Sequence, residues 1–426
     1  MKFEFRKTRA LMMGAAVAVA FSIWGCRSDD NKEPMPPPPP PPPVTSVWDG
    51  TSVEPVGPEG NLYPIASAAQ LAWLAGALPA GEVETSGKIF DLRCDIDLGG
   101  HAFSPVGGRN AENKIVAFRG EFRGNDHTIS GLKIEDADET DYLGLFSYVA
   151  GTVADLHVEG RVVSTHAQLS ACGGIAGAVA GGELRNCSFS GEVTVSSVFY
   201  TGGVAGVLMG GALTGCVNRA AVKCLHPSNC VMGGVAGILY GTGEEALVAG
   251  CINYGAVSGP GRVAGIAAEM AGNIPSGDPC GNQTVIACAN YGAVTGGSNV
   301  GGVVAACVLT TMNLQTVAGC CNAGEVTSTK TGAFWSEGGV VAHMESDAVM
   351  QGCFWLEPAA AYTSQQLGSG SSDCGAKDEA EFKSSATLGA LNAAVGTWNA
   401  ANGNACVYRF VTGENGWPVP AAMKDN

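Results

Sequence analysis

Residues 233–258 read GGVAGILYGTGEEALVAGCINYGAVS. A small-residue phrase, GGVAG, opens the stretch, and a second phrase built around a cysteine, VAGCINYGAV, closes it. Both are short, rich in Val, Ile and Ala, and flanked by glycine. A helix would lose about 1 kcal/mol at each glycine relative to alanine. Strands of about 4–6 residues bounded by turns suit the composition better. Such a strand cannot bury its apolar face alone, so the unit needs neighbours like itself.

The neighbours are present. The opening phrase recurs as GGIAG at Gly173, GGVAG at Gly202, GRVAG at Gly261, GGVVA at Gly301 and GGVVA at Gly338. The closing phrase recurs at Cys187, Cys216, Cys288, Cys320 and Cys353, with Cys-to-Cys steps of 29, 35, 37, 32 and 33 residues through the series. A degenerate copy without the cysteine precedes them, as YLGLFS from Tyr142 and VADLHVEGRV from Val153. A repeat of this period implies a solenoid. Stacked copies of one strand form a parallel sheet, and parallel crossovers are right-handed. The expectation is an all-β chain folded as a right-handed parallel β-helix, one coil per repeat.

Val204, Val235, Val263, Val303 and Val340 fall at one position of the phrase as written and form an inward aliphatic stack in this reading. GRVAG loses a glycine, and the last copy lacks the trailing glycine and valine, as an end cap could. Asn218, Asn253, Asn290 and Asn322 lie two residues after four of the cysteines. Stacked amides can hydrogen-bond from rung to rung, so these are read as structural. The cysteines read as small buried hydrophobes. Disulfides between rungs are the alternative, and zinc-type spacing is absent.

These phrases, GG[IV]AG and [NG]C-x-N-x-G-x-V, resemble the GLUG-motif proteins, a repeat family of bacterial surface proteins. The resemblance runs over roughly Phe90 to Trp355. It implies an adhesin-like role; such repeats also occur beside protease domains such as the IgA-specific metallopeptidases. The chain has no H-E-x-x-H, so that peptidase activity does not carry over, and the expectation is that it is not an enzyme.

The flanks divide the chain further. Residues 1–25 read as a signal peptide, with Lys2, Arg6, Lys7 and Arg9 ahead of the apolar run Leu11–Trp24, too short for a comfortable span. The run ends IWGC, which looks like a bacterial lipobox. That resemblance implies cleavage before Cys26 and lipidation of its thiol and new amino terminus; an ordinary signal peptide is the alternative. RSDD after Cys26 resembles the surface-export signal of Bacteroidetes lipoproteins, which places the protein at the outer membrane, facing outward. Residues 26–46 form a tether, with Pro36–Pro43 a polyproline II rod of about 25 Å at roughly 3.1 Å per residue. Residues 47–89 are a lead-in plus a capping helix, with Ser67 as N-cap and Leu71, Leu74 and Leu78 on one apolar face. The β-helix occupies 90–356. Residues 357–426 form a small mixed C-terminal cap with a helix from Ser385 to Trp398 and a closing strand and turn.

The net charge of −16 leaves nothing to neutralise phosphates, which excludes nucleic acid as a partner. The acidic tract at Glu135 could bind Ca²⁺ but matches no EF-hand loop, so it reads as a solvated loop, and no metal or cofactor is expected. A secreted chain permits disulfides; Cys224 with Cys230, and Cys374 with Cys406, are the pairs to test outside the ladder. Asp95 and Asp97 point to one face of a strand and, with Asp91, are the densest early carboxylates; acting on glycans or serving a solvated turn are the two readings. Tyr254, Tyr291 and Trp335 are the candidate ligand-binding residues, with Phe199, Tyr200, Tyr240 and Phe334 also near loops. Their rings could form a sugar-stacking or protein-docking strip, with core packing as the alternative. The function expected is adhesion or binding of a glycan or a host or matrix protein, without catalysis. A structural subunit of the envelope, or a glycan lyase or hydrolase on the same scaffold, are the alternatives.

Overall fold

The computed structural model describes residues 47–423, apart from 137–141, 166–169, 197–199, 242, 272–280, 309–313, 331–335, 346 and 358–372. The expected signal peptide, Cys26 and the proline run therefore lie outside the described residues, as do Trp335, Phe199 and Phe334.

The chain winds as a parallel β-helix. The opening phrases supply two seven-stranded sheets, one running from Tyr142–Leu143 to Glu337–Gly338 and the other from Phe146–Val149 to Val341–Met344. The closing phrases join a 22-stranded sheet. Backbone groups pair from coil to coil: Val204 N–H donates to Val235 O (3.1 Å), Val235 to Ile266 (3.0 Å), Ile266 to Val303 (3.0 Å) and Val303 to Val340 (2.9 Å).

That chain of bonds corrects one register. Ile266 continues the stack, not Val263. Val263 pairs with Met232, and Ala264 with Gly233. The fourth copy is thus AGIAA from Ala264, offset by three residues from GRVAG, and it has alanine in place of the first glycine. The inward stack runs Leu145, Ile175, Val204, Val235, Ile266, Val303 and Val340, all essentially buried. Each contributes roughly 1.5–3 kcal/mol by burial.

The asparagines form the expected ladder. Nδ2 of Asn218 donates to Oδ1 of Asn253 (2.8 Å), Asn253 to Asn290 (2.7 Å) and Asn290 to Asn322 (2.7 Å). Each amide also bonds backbone groups two residues on, which holds the corner of its own coil. Phe189 and Trp355 occupy the same position at the two ends. The second glycine of each opening phrase lies against this ladder. A Cβ on Gly203, Gly234, Gly265 or Gly302 would come within 2.2–2.3 Å of an asparagine Cγ. Close packing, rather than a left-handed backbone, explains these glycines. Positive φ is needed just before each ladder cysteine, at Gly215, Gly250, Gly319 and Gly352, with Asn186 and Ala287 adopting it in their own coils.

The ladder cysteines are free and fully buried. Cys374 extends the ladder, because Gly375 pairs with Phe354 and so sets Cys374 beside Cys353. It is not bridged to Cys406, which is buried elsewhere and held by Asn399. Cys224 and Cys230 do form a disulfide, with Cα atoms 6.5 Å apart.

Both flanks reach into the coil. Strand Leu62–Ile65 pairs with Ile89–Leu92, so the first rung begins inside the stretch read as a lead-in. Helix α1 (Ala68–Ala80) follows it, with the Ser67 side chain accepting from Gln70 N–H and Gly81 in the left-handed region as C-cap. Leu71, Leu74 and Leu78 enter the same core as the coil residues, as an end cap requires.

The C-terminal part holds α2 (Glu379–Phe382), α3 (Ser385–Ala401) and an antiparallel hairpin of Tyr408–Thr412 with Pro418–Ala422. Its strand Gly375–Lys377 pairs with Phe354–Leu356 on the last coil, and the rest lies along the side of the β-helix. Phe382, Leu391, Val395, Trp398, Tyr408 and Phe410 cover Ala249, Ile252, Ile286, Ala289 and Ala318 on the outside of successive coils. The contact is close: a Cβ on Gly250 would meet the Tyr408 ring at 2.2 Å, and Tyr408 Oη donates to Asn186 Oδ1 at 3.0 Å.

Candidate functional site

Side chains alternate across a strand, so a residue that follows an inward asparagine faces out. The four positions after the ladder are Arg219, Tyr254, Tyr291 and Ala323. They form an outward column on successive coils. The Tyr254 and Tyr291 rings stack at 5.4 Å with an interplanar angle of 18°. The Arg219 guanidinium lies over Tyr254, 4.7 Å from the ring centroid.

The side module closes this column into a cleft. Its hairpin turn contains a 3-10 segment, Glu414–Gly416, in which Asn415 is left-handed at φ 56°. Trp417 follows, with its ring centroid 6.2 Å from that of Tyr291 at 74° and 5.7 Å from that of Phe382. Lys383 Nζ lies 4.4 Å from the Trp417 centroid. Tyr291 Oη donates to Pro418 O and ties the column to the hairpin. Burial pushes the Tyr291 hydroxyl well above the usual tyrosine range, so it stays a neutral donor. The cleft measures about 640 Å³ and is lined by Arg219, Tyr254, Tyr291, Glu414, Asn415 and Trp417 among others.

Tyr254 and Tyr291 are thus brought together as expected of candidate ligand residues, while Trp335 lies outside the described residues. Their presentation differs from a stacking strip. Tyr254 is sandwiched between Arg219 and Tyr291, so both faces are taken. What it offers is its edge and hydroxyl, and the residue is 40% exposed. Sequence reasoning missed Arg219, Glu414, Asn415 and Trp417. Arg219 occupies the repeat position of the two tyrosines and was there to be found; nothing in the repeat points to the hairpin residues.

The early carboxylates do not converge. Asp91 pairs with Arg93 at 2.8 Å and accepts from Asn125 at 3.0 Å. Asp97 accepts from Gly99 N–H at 2.8 Å. Asp95 accepts from Thr128 N–H at 2.9 Å and bonds His127 Nδ1 at 3.1 Å. The Thr128 bond is the main reason its pKa falls below the usual carboxylate range. These are satisfied turn and rung acids. On the same outer face Ser188 Oγ and His157 Nδ1 are 2.7 Å apart. Among the described residues no carboxylate bonds that ring, and neither residue lines the cleft.

The chain matches no known family model and no curated protein. It is similar to a solved chain from Bacteroides ovatus, provisionally described as an immunoglobulin A1 protease. That match has 20% identity and a TM-score of 0.50, and covers 84% of this chain and 91% of that one. A second solved chain, described as an IgA1 protease, matches 64% of this chain and 23% of its own length, with 16% identity and a TM-score of 0.38. The first likeness extends to the fold alone. It nonetheless overturns the expectation that the chain is not an enzyme: the fold is shared with a chain described as a protease, so the repeat fold does not argue against catalysis.

Proposed function

We propose that this β-helix protein is a lipid-anchored protein of the bacterial outer membrane, exposed at the surface, that binds an extracellular glycan in the cleft between the Arg219–Tyr254–Tyr291 column and the hairpin turn. The GLUG-like repeats would serve as its scaffold and Cys26 as its lipid attachment. The observation that carries the binding reading is the convergence on one concave cleft of the aromatic column with Glu414, Asn415 and Trp417 from a module over a hundred residues away in sequence. A cleft of about 640 Å³ is the size of a small-ligand site. A protein partner would instead need about 800 Å² of its own surface. Tyrosine hydroxyl, carboxylate and amide groups in it match the hydroxyls of a sugar.

The test is a glycan array with full-length protein in detergent, repeated with Tyr254→Ala and Trp417→Ala. Saturable binding that both variants weaken at least tenfold, with unchanged unfolding midpoints, supports the reading. Absence of binding to every glycan sinks it. Product analysis in the same wells reports any turnover, and incubation with immunoglobulin A1 followed by fragment analysis tests the activity named for the structural neighbour. A mass shift lost in Cys26→Ala checks the anchor.

A further inference from the structure

We infer that the ligand of this cleft is an acidic saccharide, whose carboxylate or sulfate sits on Arg219. The inference rests on the glycan-binding reading and specifies its chemistry. Arginines on the outside of the coils are, with few exceptions, matched to a carboxylate: Arg93 with Asp91, Arg123 with Glu121, Arg161 with Glu135, Arg185 with Glu183 and Arg262 with Glu269. Arg219 makes no ion pair among the described residues, in a chain of net charge −16. Its plane is engaged instead, by the Tyr254 ring. A guanidinium stacked on a ring keeps its rim of N–H donors available and is already ordered, the arrangement that suits bidentate recognition of an oxyanion.

The rest of the cleft fits a ligand that is anionic at one end. Glu414 also lines it, without an ion pair to Arg219. It therefore leaves the guanidinium unneutralised and disfavours an anion at its own side. Lys383, the other cation nearby, is held over Trp417 and paired to Glu379. Arg219 is thus the group left to meet a negative charge, while Glu414 and Asn415 meet hydroxyls. Two other cavities among the described residues differ. One, near Asn229 and Asn299, contains Arg262, already paired with Glu269. The other, beside the end of α1, sets Glu84 and Glu112 against Arg119 with no aromatic ring in its lining.

The experiment uses full-length protein in detergent and matched pairs of saccharides: trigalacturonate against its methyl ester, sialyllactose against lactose, and a sulfated against an unsulfated galactose trimer. Calorimetry is run at low and at moderate salt on wild type, Arg219→Gln and Arg219→Lys. The expected result is at least tenfold tighter binding of the acidic member of one pair, weakened by salt. Arg219→Gln abolishes that preference, costing the acidic member at least tenfold more affinity than the neutral one; Arg219→Lys keeps part of the preference. The pair that shows the preference tells carboxylate from sulfate. Equal affinity within every pair, or a preference that survives Arg219→Gln, overturns the acidic assignment but leaves glycan binding standing. Failure of all six saccharides and of the array removes both.

Discussion

Replacing Asn290 tests whether the amide ladder holds the coils together or merely fills space. In the native chain its Nδ2 donates to Asn322 Oδ1 (2.7 Å) and Gly292 O (2.9 Å), and its Oδ1 accepts from Asn253 Nδ2 (2.7 Å) and Gly292 N–H (3.2 Å). Asn290→Ala leaves the Gly292 carbonyl and one Nδ2 hydrogen of Asn253 without these partners in a fully buried site. At about 1–3 kcal/mol for each orphaned group, the loss is about 2–6 kcal/mol. A chain of this length unfolds with an entropy of roughly 0.9 kcal/mol/K, at about 2.1 cal/mol/K per residue, so the midpoint falls by about 2–7 °C. Asn290→Asp keeps the volume but turns the donor into an oxygen facing two other oxygens, with a buried charge added. It is expected to cost more than alanine. Burial raises the pKa of the introduced carboxyl, so its penalty shrinks as pH falls and the group protonates. Thermal melts followed by circular dichroism, with amide exchange at Gly292, read both effects. If the aspartate variant melts above the alanine variant at neutral pH, volume dominates and the hydrogen-bond argument is refuted.

Gly265→Ala places a Cβ 2.2 Å from both Asn290 Cγ and Gly302 O. It should lower the midpoint by several degrees, whereas Gly76→Ala in α1, with open space around it, should stabilise by about 0.5–1 kcal/mol; the paired melts decide. Cys374 is the half-exposed end of the cysteine ladder, and hydrogen bonding to Cys353, with burial, raises its thiol pKa. Iodoacetamide should label it slowly at neutral pH and faster as pH rises, before Cys187, Cys216, Cys251, Cys288 or Cys320, as peptide mapping of the native protein would show. Asp95 has its folded pKa lowered, chiefly by the Thr128 amide. Its contribution is therefore present above the unfolded value and lost as pH falls through the folded one. Asp95→Asn should flatten the acid limb of the stability curve, and an unchanged limb would count against that assignment.

The coil was legible because its signals are local and repeated. An inward aliphatic residue and close-packed Gly recur from coil to coil, and inward Asn through four of them, so one good copy explains most of the rest. The register of the fourth copy was misread because GRVAG preserves the letters of the phrase at the wrong offset. Only the bonds from Val235 to Ile266 to Val303 show that AGIAA takes its place. The side position of the C-terminal module left no such trace. Its helices and hairpin are readable from composition, but their docking depends on Tyr408 meeting Gly250 and Asn186, contacts between positions more than 150 residues apart with no periodicity to reveal them.

The site divides along the same line. Asn218, Asn253 and Asn290 point inward and hold the corner; the residues that follow, Arg219, Tyr254 and Tyr291, point outward and carry no backbone task in the ladder. Scaffold and recognition therefore sit on adjacent residues of one strand, separated only by the alternation of side chains. Changes at Arg219 or Tyr254 should alter what the cleft binds while leaving the melt within a degree or two, whereas Tyr291 also ties the column to the hairpin. Changes at the inward position should do the reverse until the coil opens. The outward column alone would be a row of ring edges on a convex surface. Glu414, Asn415 and Trp417 turn it into a cleft, so binding should depend on the docking of the side module as much as on the tyrosines themselves.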